Sequence, residues 1–394
     1  MRLAVLTTGR QDWGILRSTV LALQGDPAFD VRLLAGGMHL NVRFGRTIDV
    51  LRSEGFTIEA TLPFIHDGSA PTGSPQTVAD QCGEALRLTE GVLSTLRPDA
   101  ILLVGDRYET LAAAMAAALA RVPIVHLHGG EETEGALDNA FRHAITKLSH
   151  LHLVSHPAHA ARVIALGESP ASVHVVGAPG LDNARRIDLP DLAAIERELG
   201  MALPHPLVLV TLHPTTLGDE PAREVAAVTA AMDAVAATYV ITLPNSDPGN
   251  EVTRGALQAA ATQPGRIALD ALGDRRYWAL LREADAMLGN SSSALIEAPV
   301  LALPAVNVGI RQRGRLRGRN VIDVPVDPAA IASGLRTALD PTFRRGIGDS
   351  GPFGDGHAAA RIRRVLKAWT PPQPPIKAAV PLPAAVPEIP WAEK

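Results

Sequence analysis

Three carboxylates, Asp106, Glu131 and Asp138, stand in polar, Gly-containing segments, the first two directly after short apolar runs. Carboxylates that converge on one substrate carbon do not ionise independently, so one is expected to stay protonated as an acid while another serves as base. Asp106 and Glu131 follow separate runs and would meet at one sheet edge. Asp138 has an equally good structural reading, as a helix cap or as the partner of Arg142 four residues on. Glu132 and Glu134 read as solvated loop charges.

The second half carries a different chemistry. Gly289-Asn290-Ser291-Ser292-Ser293 follows an apolar run and opens the short helical pattern Ala294–Glu297. Hydroxyls and free N–H groups at such a point favour an anion. A single N-cap explains one serine, not three preceded by Asn and Gly. The loop lacks the Gly-Lys-Ser/Thr of a Walker loop, and no Gly-x-Gly-x-x-Gly opens the chain. Arg311, Arg313, Arg315, Arg317 and Arg319 alternate, as an extended basic edge would. One of them, or Arg10, could grip a diphosphate through two hydrogen bonds. Seven of the 13 histidines fall between His126 and His159, without the companion Cys or carboxylate spacing of a zinc site, so no metal is assigned. His213 stands apart, closing an apolar run of the second half.

These groups need positioning elements. Apolar runs at Arg2–Thr7, Val31–Ala35, Ala100–Val104, Ile124–His128, Leu151–Ser155 and Val173–Val176 predict strands in the first half. Leu207–Thr211, Val240–Leu243, Ala286–Leu288, Ala305–Val308 and Val321–Val324 predict strands in the second. Helix-length segments between them include Glu109–Arg121, Asp138–Ser149, Glu220–Ala236 and Asp274–Glu283. Continuous apolar strands alternating with helices predict an α/β chain of two Rossmann-like domains, each a parallel sheet covered on both faces. The polar segments sit after the strands, where open parallel sheets bind ligands. The Pro-rich stretch 178–206 suggests the boundary. Residues 1–180 form the N-terminal domain with the acid/base groups, and 181–370 the C-terminal domain with the nucleotide-diphosphate site. Residues 371–394, with eight prolines, read as a disordered tail.

Composition narrows the class. Of 394 residues, 46% are hydrophobic, enough for a large core, and the net charge of -4 argues against a general nucleic-acid partner. The single Cys82 excludes an internal disulfide. No apolar run spans a bilayer and no export signal opens the chain, so a cytoplasmic location is expected.

Taken in order, the motifs resemble the hydrolysing UDP-N-acetylglucosamine 2-epimerases, including the group serving sialic and legionaminic acid synthesis. The resemblance runs through Thr8–Gly14, Gly105–Glu109, His128–Asp138, Arg142–His150, Thr211–Pro214, Pro244–Asn250, Gly289–Glu297 and Asn307–Arg315. It implies a B-type glycosyltransferase-like fold, a nucleotide-sugar substrate, no cofactor, no metal in catalysis, and a homodimer. By motif, Asp106, Glu131 and Asp138 match acid/base carboxylates, and His213 a cleft histidine. Arg10, Ser291, Ser292 and Arg311 match diphosphate contacts, Glu297 the ribose carboxylate and His39 a sugar-pocket position. Arg107 and Asn290, within the same motifs, join the substrate-binding set. The opening loop departs from the family's usual Gly-Thr-Arg-Ala-Asp-Tyr, keeping Arg10 in register, and the tail has no family counterpart.

The implied reaction is elimination followed by hydration. The C2–H of a sugar nucleotide has no neighbouring carbonyl, so loss of diphosphate from C1 must acidify it. A 2-acetamidoglycal then takes up water with inverted C2, releasing UDP and N-acetylmannosamine. The same reaction on a 2,4-diacetamido-2,4,6-trideoxyhexose is the nearest alternative. A glycosyltransferase or a non-catalytic nucleotide-sugar-binding protein is the alternative of another class.

Overall fold

The structure, a computed structural model, describes residues 1–65, 75–132, 138–215, 221–244, 250–270, 272–348 and 351–377. Parts of three sequence features, residues 133–137, 245–249 and 378–394, lie outside them.

Two parallel sheets form, their central strands buried on both faces. The first contains β1 (Arg2–Thr7), β2 (Asp30–Gly36), β3 (Ile58–Leu62), β4 (Ala100–Val104), β5 (Ile124–Leu127), β6 (Leu151–Val154) and β7 (Val173–Val175), in the order β3-β2-β1-β4-β5-β6-β7. The second contains β8 (Leu207–Thr211), β9 (Thr238–Thr242), β10 (Arg266–Leu269), β11 (Ala286–Gly289), β12 (Ala305–Val308) and β13 (Val321–Val324), in the order β10-β9-β8-β11-β12-β13. Both orders reverse next to the first strand of the sheet, at β1/β4 and β8/β11. Such a reversal opens a crevice at the strands' carboxyl ends.

β3 and β10 went unseen in the sequence, and both are edge strands. Their residues are mostly half-buried, and Glu59 interrupts β3, so neither gives the continuous apolar run of a central strand.

The halves are stitched by two chain crossings. Pro179–Arg185 packs on the helix Arg10–Gln24, where Asn183 Nδ2 donates to the Gly14 carbonyl at 2.7 Å. The chain then returns: Ile362 and Leu366 of the helix Ala358–Ala368 join the first sheet's core beside Leu3, Leu16 and Leu23. Asp182 caps this returning helix, accepting from the Ala358 and Ala359 amides at 2.8 Å each. The helix thus belongs by packing to the first half, although the expected span 181–370 groups it with the second.

The tail's opening residues are held rather than loose. The Pro375 carbonyl lies 3.2 Å from His150 Nε2, and Lys377 Nζ donates to the Lys147 carbonyl at 2.9 Å and pairs with Glu168. The expectation of disorder from residue 371 is corrected up to Lys377, because these contacts fasten the segment beside β5 and β6. No helix among the described residues is long and apolar enough to cross a membrane.

Candidate functional site

Asp106 leaves β4 through Gly105, whose φ of +81° favours glycine. Its carboxylate pairs with Arg142 of the helix Asp138–Leu148. Arg142 is 2% exposed, and its Nη1 donates at 2.7 Å to both the Glu131 carbonyl and Asn139 Oδ1. One buried guanidinium therefore fixes the loops after β4 and β5 against each other. Burial lowers Arg142 to about 9, and Arg315 and Arg162 push the same way, so it remains charged at neutral pH. Its part in the site was missed in the sequence, where it served only as a possible partner of Asp138. Asp138 is the first residue of this helix.

Glu131 is buried behind His128. Its Oε1 accepts from His128 Nδ1 at 2.7 Å and from Ser155 Oγ at 2.9 Å, and Ser155 in turn receives His159 Nδ1 at 2.9 Å. Burial would raise this carboxyl, but His128 and, further off, Arg315 and His159 outweigh it and hold Glu131 at about 2. Glu131 is thus ionised at neutral pH and is not the protonated member expected among the three carboxylates. His128 itself sits at φ +65°, a left-handed conformation that costs a non-glycine residue of order 1–3 kcal/mol. Its Nε2 is buried and has no hydrogen-bond partner among the described residues.

Arg107 turns away from Asp106, and its Nε donates to Glu109 Oε1 at 2.6 Å. Glu109 lifts Arg107 well above its ordinary range. Asp12 lies beside this pair, accepting from Thr8 N at 2.9 Å and Thr8 Oγ1 at 2.5 Å. Burial, with Glu109 nearby, raises Asp12 to about 6. The loop bearing Arg10 is therefore anchored on a buried carboxylate pair that sequence reading did not single out. His39 is fully buried between two hydroxyls, with Thr7 Oγ1 2.8 Å from Nε2 and Thr47 Oγ1 2.7 Å from Nδ1. Burial drops it to about 4, so it is neutral at pH 7 and both its nitrogens are engaged.

In the second half, Gly289 has φ +136°, and a Cβ there would lie 2.0 Å from the Thr211 carbonyl oxygen. Only glycine lets β11 run this close to β8. Asn290, fully buried, grips His213 in both directions, accepting from its amide and donating to its carbonyl at 2.8 Å each. The Asn290 carbonyl also receives Arg311 Nη1 at 3.2 Å and Gln312 Nε2 at 2.8 Å. Its side chain is a strut between loops. The serines divide their work: Ser291 Oγ accepts from the Ser293 amide at 3.3 Å, Ser293 Oγ receives the Tyr277 hydroxyl, and Ser292 makes no capping bond. Burial raises the Glu297 carboxyl, and its Oε2 is buried with no hydrogen-bond partner among the described residues.

The arginine row does not form one extended edge. Residues 311–314 make a turn, so Arg311 reaches Asn290, Arg315 faces the first half, and Arg317 pairs with Asp323. The histidines serve separate local roles. His126 Nε2 lies 2.8 Å from the Gly105 carbonyl oxygen, His152 pairs with Glu168, and His156 caps a helix. Glu132 is tied to Arg162 at 3.0 Å instead of being merely solvated.

The two sets of loops sense each other. Burial lowers His213 to about 3, and Arg311 and then Arg10, from opposite halves, push the same way, so the imidazole is neutral. A cavity of ≈ 70 Å³ separates Glu131, His159 and Arg162 on one side from Ile296, Arg315 and Leu316 on the other.

Two parallel sheets with polar loops at their carboxyl edges, joined by the crossings of Pro179–Arg185 and Ala358–Ala368, define an α/β protein of the B-type glycosyltransferase-like architecture. A family model described as UDP-N-acetylglucosamine 2-epimerase matches residues 21–367, and the chain belongs to that family. It is 34% identical over 369 residues to a UDP-N,N'-diacetylbacillosamine 2-epimerase (hydrolyzing) of Legionella pneumophila, covering 93% of this chain and 96% of that one. It is 31% identical over 370 residues to the polysialic acid biosynthesis protein P7 of Escherichia coli, covering 93% of each. Among solved structures it resembles the UDP-GlcNAc 2-epimerase of Neisseria meningitidis bound to UDP-GlcNAc, with a TM-score of 0.77 at 17% identity, covering 93% of this chain and 99% of that one.

Proposed function

We propose that the protein is a hydrolysing nucleotide-sugar 2-epimerase, converting UDP-N-acetylglucosamine to UDP and N-acetylmannosamine. The observation that carries this reading is the division of chemistry between the halves: ionised carboxylates at the first sheet's edge oppose a cation-flanked neutral histidine and serine loop at the second. Epimerisation at C2 needs both, a leaving diphosphate stabilised on one side and proton transfer on the other.

In this reading Arg10 and Arg311 offset the charge that develops on the departing diphosphate, and Ser291 and Ser292 line its path. Neutral His213 donates a hydrogen bond there without carrying its own charge. Glu297 Oε2, an unpartnered buried acceptor, receives the ribose hydroxyls. Asp106, Glu131 and Asp138 supply the acid/base edge, with Arg107 behind them and Asn290 and His39 as supports of the binding loops. Elimination across C1–C2 gives the 2-acetamidoglycal, and water adds at C1 as C2 is reprotonated from the opposite face.

A second reading keeps this chemistry on a UDP-2,4-diacetamido-2,4,6-trideoxyhexose, favoured by the 34% identity to the Legionella protein named for diacetylbacillosamine. Incubation with each sugar nucleotide in D2O tests both. Release of UDP with deuterium at C2 of the free sugar is expected for the true substrate. UDP released without C2 label would refute epimerisation, and incorporation into a sugar still bound to UDP would refute the hydrolysing assignment.

A further inference from the structure

The structure contains one group at the acid/base edge that is prepared for proton transfer and is none of the three carboxylates. We infer that His128 Nε2 is the base that removes the C2 proton, and that Glu131 is its positioning residue. This rests on the epimerase reading of the same site.

The argument begins with the hydrogen count. Glu131 is ionised and can only accept, so the 2.7 Å contact requires a proton on His128 Nδ1. With that proton on Nδ1, the lone pair available to act as a base is the one on Nε2. That atom is buried, has no hydrogen-bond partner among the described residues, and belongs to a side chain whose other nitrogen is locked. A carboxylate holding one ring nitrogen so that the other is free as a base is the arrangement used in general-base catalysis. Ser155 and His159 complete the support behind Glu131.

The backbone points the same way. His128 ends β5 in a left-handed conformation, and its amide donates to the Leu153 carbonyl at 3.2 Å, which pins the turn to β6. Gly130 follows at φ +77°, where a Cβ would lie 2.3 Å from the His159 carbonyl oxygen. The chain thus doubles back sharply enough for residue 131 to reach residue 128. His128 also bears electrostatically on Glu297 of the other half, placing it at the face where the halves meet.

The step balances without a further reagent. Nε2 takes the C2 proton, the C2–H electrons form the C1=C2 bond, and the C1–O pair leaves with UDP. A carboxyl group that enters protonated then delivers its proton to C2 from the opposite face, water adds at C1 and returns a proton to that carboxylate, and the proton held on Nε2 passes to the departing UDP or to solvent, which restores the base. Asp138 fills that second role, since Glu131 is committed to His128 and Asp106 is ion-paired with Arg142.

His128→Gly suits the left-handed φ and opens room for added imidazole. In the full-length protein with the substrate that shows C2 exchange, kcat is expected to fall about 10²–10⁴-fold. The Kd for UDP should stay within about threefold of wild type, which also reports that the site is folded. Imidazole should restore C2-deuterated product in D2O to His128→Gly but not to Glu131→Gln, whose loss should fall on kcat with KM little changed. A His128→Gly variant that retains kcat within about threefold overturns the assignment, as does failure of imidazole to restore any C2 label. A wild type that labels C2 of neither sugar overturns the epimerase reading itself, a result distinct from equal labelling by wild type and variant.

Discussion

Arg142 offers the sharpest test of how the acid/base edge is held. Replacing it with Met keeps an unbranched side chain of similar length and removes all of its donors. Asp106, 23% exposed at its side chain, loses its ion pair, and the Glu131 carbonyl and Asn139 Oδ1 each lose a bond of 2.7 Å. Breaking a buried pair from one side costs about 3–5 kcal/mol. Asp106→Asn leaves the guanidinium buried with two neutral acceptors still in place, so its cost should be smaller, about 1.5–3 kcal/mol for the lost charged hydrogen bond. The double variant has neither stranded charge. Its loss should therefore fall short of the summed single losses by about 1–3 kcal/mol. Guanidinium unfolding of the four proteins measures this coupling, and UDP affinity in each reports whether the second half is disturbed. Losses that add to within about 0.5 kcal/mol would refute the clamp, since independent sites behave that way. Arg142→Lys should recover only part of the stability, because an ammonium cannot present the same planar fork to three acceptors in different directions.

Two further outcomes are expected. Gly289→Ala should abolish measurable UDP binding and lower stability by more than about 3 kcal/mol, because the added carbon meets the backbone of β8 at 2.0 Å; a soluble variant with unchanged UDP affinity and thermal midpoint would contradict the packing described. At Glu168, burial raises the carboxyl but hydrogen bonds from His152, Lys147 and Lys377 outweigh it and hold it at about 2, below its ordinary 4.5. A depressed carboxyl stabilises the fold above pH 4.5 and loses that contribution as pH falls toward 2. Glu168→Gln should therefore flatten the stability-against-pH curve across that window, and Lys377→Ala should flatten it in part; an acid limb unchanged by both would show that the tail segment is not fastened there.

How much was legible in the sequence depended on whether a contact leaves a local trace. Central strands did: Ala100–Val104, Leu207–Thr211 and Ala305–Val308 form with the ends read from their apolar runs. Edge strands Ile58–Leu62 and Arg266–Leu269 did not, because one side of each is unpaired and their residues are only partly covered. Loops after strands were visible as polar, Gly-containing interruptions, which placed Asp106, Glu131, His213 and Asn290 at the right edges. Their partners were invisible, since Asp106 to Arg142 and His213 to Asn290 span 36 and 77 residues. One signal was available for Arg142. It falls in register with Ile145 and Ser149, three and seven residues on, so the buried stripe of an amphipathic helix contains a guanidinium. A charge placed there must have a buried counter-charge, and the nearest unassigned carboxylates were those of the site.

The electrostatics then changes which group can move a proton. Shared carboxylates were expected to keep one proton among them, yet Glu131 is driven down to about 2 because a histidine, not another carboxylate, is its close neighbour. An ionised Glu131 has no proton to give, and with its Oε1 already taking two hydrogen bonds it makes a weak base. In the inferred mechanism its charge has a different use, to hold the proton on His128 Nδ1 and so set the tautomer. On the opposite wall the sign is reversed: burial and two arginines keep His213 neutral at about 3, so in the proposed reaction it adds a donor to the diphosphate without competing for the proton. The two histidines are thus separated in role by their neighbours, a carboxylate behind one and guanidinium groups around the other. Exchanging those neighbours is predicted to exchange the behaviour: Glu131→Gln should impair C2 exchange with KM little changed, whereas Arg311→Gln should weaken UDP binding, and a pair of variants that moved the same parameter would break this division.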